Sequence, residues 1–250
     1  MDRSYIAIVV LSILLVLSNV SWGLYLSFKK PPGPPGCKEM DADWRVSKAI
    51  IINGDRNQEV NEPRYSNVAE LCRKLKFTFE RSPSMFVTSP EYIDSCGQVN
   101  TDDKNVKSLC GCMFAHKVAL QKIANQSERM IILEDDAIEA DEPYEIIRHK
   151  IDAFLLYSRF ADVAYVGHCY GTLCAHALAI YPESATKILQ MVDFCSTKTP
   201  IDNALSGLCR SGSLICAYAP HESGKSGAWA DGILHQDVTT VLRIRDQHDY

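Results

Sequence analysis

Met130–Glu142 reads MIILEDDAIEADE. Four apolar residues run straight into acid, with six carboxylates among the nine residues from Glu134 to Glu142. A short apolar run bounded by polar residues is the pattern of a strand buried on both faces, here over 129–134. In parallel α/β sheets, ligands gather where such strands end. Glu134, Asp135 and Asp136 stand at that end with no lysine or arginine beside them. Adjacent carboxylates repel one another and ask for a compensating cation. Oxygen ligands suit Mg²⁺ or Mn²⁺, and either ion can hold a diphosphate. The plainer reading is a solvated acidic loop opening the next helix, where acids favour the N-terminal dipole. It accounts for Glu139, Asp141 and Glu142, but poorly for three acids abutting MIIL.

Outward from this stretch, short apolar runs alternate with helical patterns. Lys48–Asn53 (KAIIIN) reads as a buried strand closed by the turn signal Asn53-Gly54-Asp55. Helices are expected over 67–75, 109–124 and 142–157, and strands over 85–87, 162–166 and 176–180. Pro182 opens a further helix, PESATKILQMV, at a position where proline is tolerated. The apolar stretch LICAY (214–218) comes last. Strands alternating with helices predict an α/β fold with a mostly parallel central sheet.

The first residues read differently. From Ser4 to Phe28, twenty-five residues carry no charge, and Lys29 and Lys30 close the run. At about 1.5 Å per residue this crosses a bilayer about 30 Å thick. The expectation is a signal-anchor over 1–28 and a single-pass type II membrane protein with its remainder in the Golgi or endoplasmic reticulum lumen. A cleaved signal peptide, ending near Ser21 and Gly23, would make the protein secreted. KKPPGPPG (29–36) reads as a stiff polyproline-type stalk over 29–45. Ten cysteines, none in a CxxC pair, point to disulfides without naming partners. Asn125-Gln-Ser127 is a glycosylation sequon. Net charge is −5 with no long basic run, which argues against a nucleic-acid partner.

Other residues join the acids in a fixed order along the chain. His116 lies eighteen residues before Glu134, one helical turn after Cys112. His176 falls on a predicted strand, and Asp202 follows Pro200. The ordered set is INGDR (52–56), Gly111-Cys112 with Ala115-His116, LEDDA (133–137), AHALAIYPESATKIL (175–189), PIDNAL (200–205) and HQDVTTVLR (235–243). It resembles glycosyltransferase family 25, which includes lipooligosaccharide and procollagen galactosyltransferases. The resemblance covers about residues 48–245. The chain departs from the family pattern at Ala115, where serine is usual, at the start of INGDR, and at Thr239 or Thr240, where a serine stands.

The resemblance implies a GT-A-like nucleotide-sugar-binding fold over 46–250. It also implies an inverting transfer of a hexose, galactose from UDP-galactose foremost, to a glycan or glycoprotein hydroxyl. Asp136 and Glu134 are then expected on the Mn²⁺ or Mg²⁺ ion, Asp135 in support, and His235 completing the metal site. Asp202 is the expected base for the acceptor hydroxyl. Asp55, Arg56, His116 and His176 are expected on the donor side. Two rivals remain. Gly167-His168-Cys169-Tyr170-Gly171 has the shape of a nucleophile elbow, which would make Cys169 the nucleophile of an α/β-hydrolase. A glycan-binding protein that kept the fold and lost activity is the other.

Overall fold

KAIIIN forms β1 (Lys48–Asn53), and its side chains alternate between two helical layers. Ala49 and Ile51 join one apolar core, and Ile50 and Ile52 the other. This is the period-two geometry of a strand covered on both faces. In this computed structural model the described residues are 45–53, 58–83, 86–139, 142–169, 173–220 and 231–236.

The elements run β1, α1 (Gln58–Lys74), β2 (Thr78–Pro83), α2 (Pro90–Cys96), α3 (Lys104–Ala124), β3 (Met130–Glu134) and β4 (Ala137–Glu139). They continue with α4 (Tyr144–Tyr157), β5 (Val163–Cys169), β6 (Leu173–Ile180), α5 (Pro182–Met191), α6 (Ile201–Arg210), β7 (Cys216–Tyr218), β8 (Asp231–Gly232) and β9 (Leu234–Gln236). Seven strands form one sheet in the order β2-β1-β3-β6-β5-β7, with β8 beside β5. Strands β1, β2, β3, β5 and β7 point one way, and β6 and β8 the other. The sheet is therefore mixed and mostly parallel, and the fold is α/β. Strands β4 and β9 pair separately.

The two cores assign the layers. Ala49, Ile51, Ile131, Leu133, Ala164 and Val166 pack with α1 and α4. Ile50, Ile52, Met130, Ile132, Val163 and Tyr165 pack with α3, α5 and α6. Beneath the sheet, buried Arg129 donates to the carbonyls of Leu155 and Ser158 at 3.3 and 3.5 Å, capping the end of α4.

The differences from expectation have local causes. Helix α1 begins at Gln58, ahead of the Asn67 start, with Pro63 inside it. Burial of Val68, Ala69, Leu71, Cys72 and Leu75 outweighs the hydrogen bond the proline removes. The second strand is TFERSP (78–83), not 85–87, and pairs only with β1 as an edge strand. Only Phe79 is a large apolar residue there, so no period shows in the sequence. Helices α2 and α6 were not expected; α6 lacks a side-chain N-cap, which removes its start signal. Disulfides join Cys96 to Cys195 and Cys209 to Cys216.

Residues 1–28, expected to span a membrane, lie outside the described residues, as does nearly all of the stalk. Among the described residues no helix is long and apolar enough to cross a membrane. The type II lumenal placement, and the membrane as a partner, are withdrawn on that finding.

Candidate functional site at the carboxyl ends of β1 and β3

The chain leaves β1 toward β2 on one side, while β3 lies on the other, so the strand order reverses between β1 and β3. Ile52 pairs with Glu134 across that boundary. Here the acidic stretch begins, and period two decides where its first acids go. Glu134 follows Met130 and Ile132 toward the α3 layer, and Asp135 turns toward α1.

The cations missing from the local sequence come from that α1 side. Arg64 reaches Asp135 Oδ1 at 3.5 Å, and Asn53 Nδ2 donates to Asp135 Oδ2 at 2.8 Å. Arg81, at the end of β2, donates in turn to Asn53 Oδ1 and stacks over Tyr65. The expectation of acids with no basic neighbour is corrected for Asp135: its partner arrives from a helix seventy-one residues earlier. Arg64 and Arg81 carried no role in the sequence reading, and Asn53 stood there only in a turn signal and within INGDR. The alternation of LEDD, which aims Asp135 at a different layer from Glu134, was the available signal.

On the α3 side, Cys112 and His116 lie four residues apart on one helical face. His116 is fully buried, and its Nδ1 lies 3.0 Å from the Cys112 carbonyl. A carbonyl only accepts, so Nδ1 carries the proton and Nε2 presents a bare lone pair. Burial lowers the imidazole pKa, opposed by that backbone bond and by the charge of Asp202. Nε2 has no hydrogen-bond partner and faces Glu134 Oε1 at 3.5 Å.

Glu134 is held well above the usual carboxylate range, first by burial, then by the charges of Asp136, Asp135 and Asp202. Asp202, in the first turn of α6, therefore belongs to the same electrostatic group; its Oδ1 accepts from the Asn203 backbone at 2.8 Å. Cys112 keeps contact with solvent. Its thiol is pushed well above its ordinary value by the surrounding protein and then by Glu134, Asp202, Asp136 and Asp135. For an exposed residue the carboxylate charges are the weightier cause. Cys112 Sγ, a His116 ring nitrogen and a Glu134 oxygen all lie within 4.8 Å of one another.

The other expected residues fall elsewhere. His176, on β6, is fully buried and donates from Nε2 to the Leu234 carbonyl at 3.0 Å. It acts as a clasp between β6 and β9. His235 has its backbone opposite Ile138, two residues beyond Asp136. Asp55 and Arg56 lie outside the described residues. Cys169 ends β5, and the next described element is β6, antiparallel to it with Cys169 opposite Leu173. A nucleophile elbow needs a helix after the turn, so this hairpin removes the hydrolase geometry. A separate cavity of about 450 Å³ lies against α4, lined by Phe154, Tyr157, Tyr218, Pro220 and Ile233. None of the acids lines it.

No protein-family model matches the chain, and no curated protein does. Among solved structures, the chain is similar to a Bacillus anthracis protein assigned as a glucose-1-phosphate thymidylyltransferase, solved with a sucrose. The TM-score is 0.44 at 12% identity, covering 81% of this chain and 96% of that one. A similarity of this size carries no argument about chemistry.

Proposed function

We propose that the protein is a metal-dependent, inverting glycosyltransferase with a GT-A-like domain of the family 25 kind. It moves a hexose, galactose from UDP-galactose foremost, to a hydroxyl of a glycan or glycoprotein. The observation that carries this reading is the gathering of Glu134, Asp135, Asp136 and Asp202 into one electrostatic group where the strand order reverses. Open α/β sheets bind ligands at that point.

The donor set fits a hard divalent ion. Within the group, Arg64 pairs with Asp135, while the charge of Asp136 still raises the proton affinity of Glu134. Held by Glu134 and Asp136, with His235 added from β9, Mn²⁺ or Mg²⁺ supplies positive charge against the departing diphosphate. The chain's own groups do the rest. Asp202 takes the acceptor hydroxyl proton. Asp135, fixed by Asn53 and Arg64, keeps the strand end in register. Asp55, Arg56 and His116 contact the donor, and His176 shapes the sugar pocket through its hold on β9.

Thermal unfolding with Mn²⁺ and UDP together should show a larger rise in Tm than either alone. No response to any nucleotide–metal pair would sink the transferase reading. A rise in Tm with glycan but none with nucleotide would favour the inactive glycan-binding alternative.

A further inference from the structure

The transferase reading leaves an unusual lone pair unexplained. His116 Nε2 is buried, has no hydrogen-bond partner, and points at a carboxylate oxygen 3.5 Å away. A bare imidazole nitrogen and a carboxyl oxygen at this separation, with a thiol beside them, are three ligand types that can close on one metal ion. We propose that Cys112, His116 and Glu134 form a Zn²⁺ site on the α3 side of the cleft, distinguished by its thiolate ligand from the site of Glu134, Asp136 and His235.

Three features support this assignment. The four-residue spacing on α3 brings a thiol and an imidazole to one face, and the end of β3 delivers the carboxylate against them. Two ligands of a tetrahedral zinc, each about 2.0–2.1 Å from the ion, stand about 3.3 Å apart, close to the observed separation of His116 Nε2 and Glu134 Oε1. The Nδ1 proton donated to the Cys112 carbonyl locks the tautomer that frees Nε2, as a ligating histidine usually needs from its other ring nitrogen. Sulfur, nitrogen and oxygen together favour zinc over Mg²⁺ or Mn²⁺. As the Zn–S bond forms, the Cys112 thiol releases its proton to solvent. Three protein ligands leave the fourth position open, and the solvent contact of Cys112 gives an entry path.

Because Glu134 is shared, zinc withdraws it from the hard-ion site and inhibits transfer. That consequence rests on the proposed function; zinc binding itself does not. The test uses the full chain after chelator treatment, titrated with Co²⁺ as a coloured stand-in and then with Zn²⁺. One equivalent of Co²⁺ should give a thiolate-to-cobalt charge-transfer band that Zn²⁺ abolishes. Cys112→Ser should lose the band, His116→Ala should weaken binding more than tenfold, and Cys72→Ala should keep both. Circular dichroism verifies that each variant is folded. A wild-type protein with no band, or a band that survives Cys112→Ser, overturns the proposal. Joint stabilisation by Mn²⁺ and UDP, retained in Cys112→Ser, separates a failure here from a failure of the transferase reading.

Discussion

Glu134 and Asp135 are chain neighbours that meet different surroundings, and this separates their roles. Asp135 is held by Arg64 and Asn53, whereas Glu134 is half-buried among like charges. Asp136 lies in the turn just beyond β3, and its charge is the strongest one acting on Glu134. Asp136→Ala should therefore cut donor hydrolysis by at least about 100-fold. Far-ultraviolet circular dichroism should be unchanged; released nucleotide at the wild-type rate would refute the role. A second residue tests burial alone. Cys72 is fully buried in the α1 core, which pushes its thiol up to about 12, slightly opposed by the Arg73 charge. An unfolded thiol titrates near 8.5, so above that pH the unfolded chain binds fewer protons than the native one. The raised native pKa thus contributes stability that is complete below about pH 8.5 and lost as pH rises toward 12, at up to about 1.4 kcal/mol per pH unit. Cys72→Ala should be less stable near neutrality through its cavity, yet lose stability more slowly with alkaline pH. Urea unfolding at about pH 8 and about pH 10 measures both slopes, and equal slopes would refute the argument.

Among the elements, those with a strong period were readable before the structure was known. KAIIIN and MIIL are apolar at every step because both faces are covered, and α3 repeats its apolar residues at Met113, Leu120 and Ile123. TFERSP and α6 were not readable, one being an edge strand and the other an uncapped helix whose burial comes from tertiary packing. The site divides along the same line. The acids of LEDD and His116 could be named because they sit on or just after periodic segments, and Asp202 because PIDNAL belongs to the set that resembles the family. Arg64 and Arg81 could not, because their reach to Asp135 and Asn53 depends on how α1 and β2 dock. Strand β5 shows a further feature only packing reveals. Its pairing with β6 shifts register on either side of Gly167, and a Cβ there would stand 2.3 Å from His176 Nε2 and 2.5 Å from the Leu234 carbonyl. These are the two partners of the β6–β9 clasp. Gly167→Ala should push them apart and cost about 3 kcal/mol in urea unfolding. Full retention of stability would mean β9 shifts at no cost, which a buried Leu234 opposes.

Across the whole molecule, the layer bearing His116 and Asp202 is held to the sheet by more than its apolar face. Cys96 closes α2, and Cys195 lies between α5 and α6, ninety-nine residues later, so their bond fastens both segments around α3. The small core of Val87, Tyr92, Cys110 and Phe114 fills the space beneath it. A second disulfide, Cys209–Cys216, ties the end of α6 to β7 across only seven residues. Loop length ranks the two. Closing about 100 residues removes far more freedom from the unfolded chain than closing seven, worth about 4.7 kcal/mol in the chain-entropy account. The Cys96→Ala/Cys195→Ala double variant should therefore lose about 2–5 kcal/mol in denaturant unfolding. Cys209→Ala/Cys216→Ala should lose less. Hydrogen exchange should quicken first in α2 and the 192–200 segment of the long-loop variant, with β1 and β3 protected until global unfolding. Equal losses from the two double variants, or exchange that quickens first in β1 and β3, would show that the staple acts on the sheet itself rather than on the layer that carries the site.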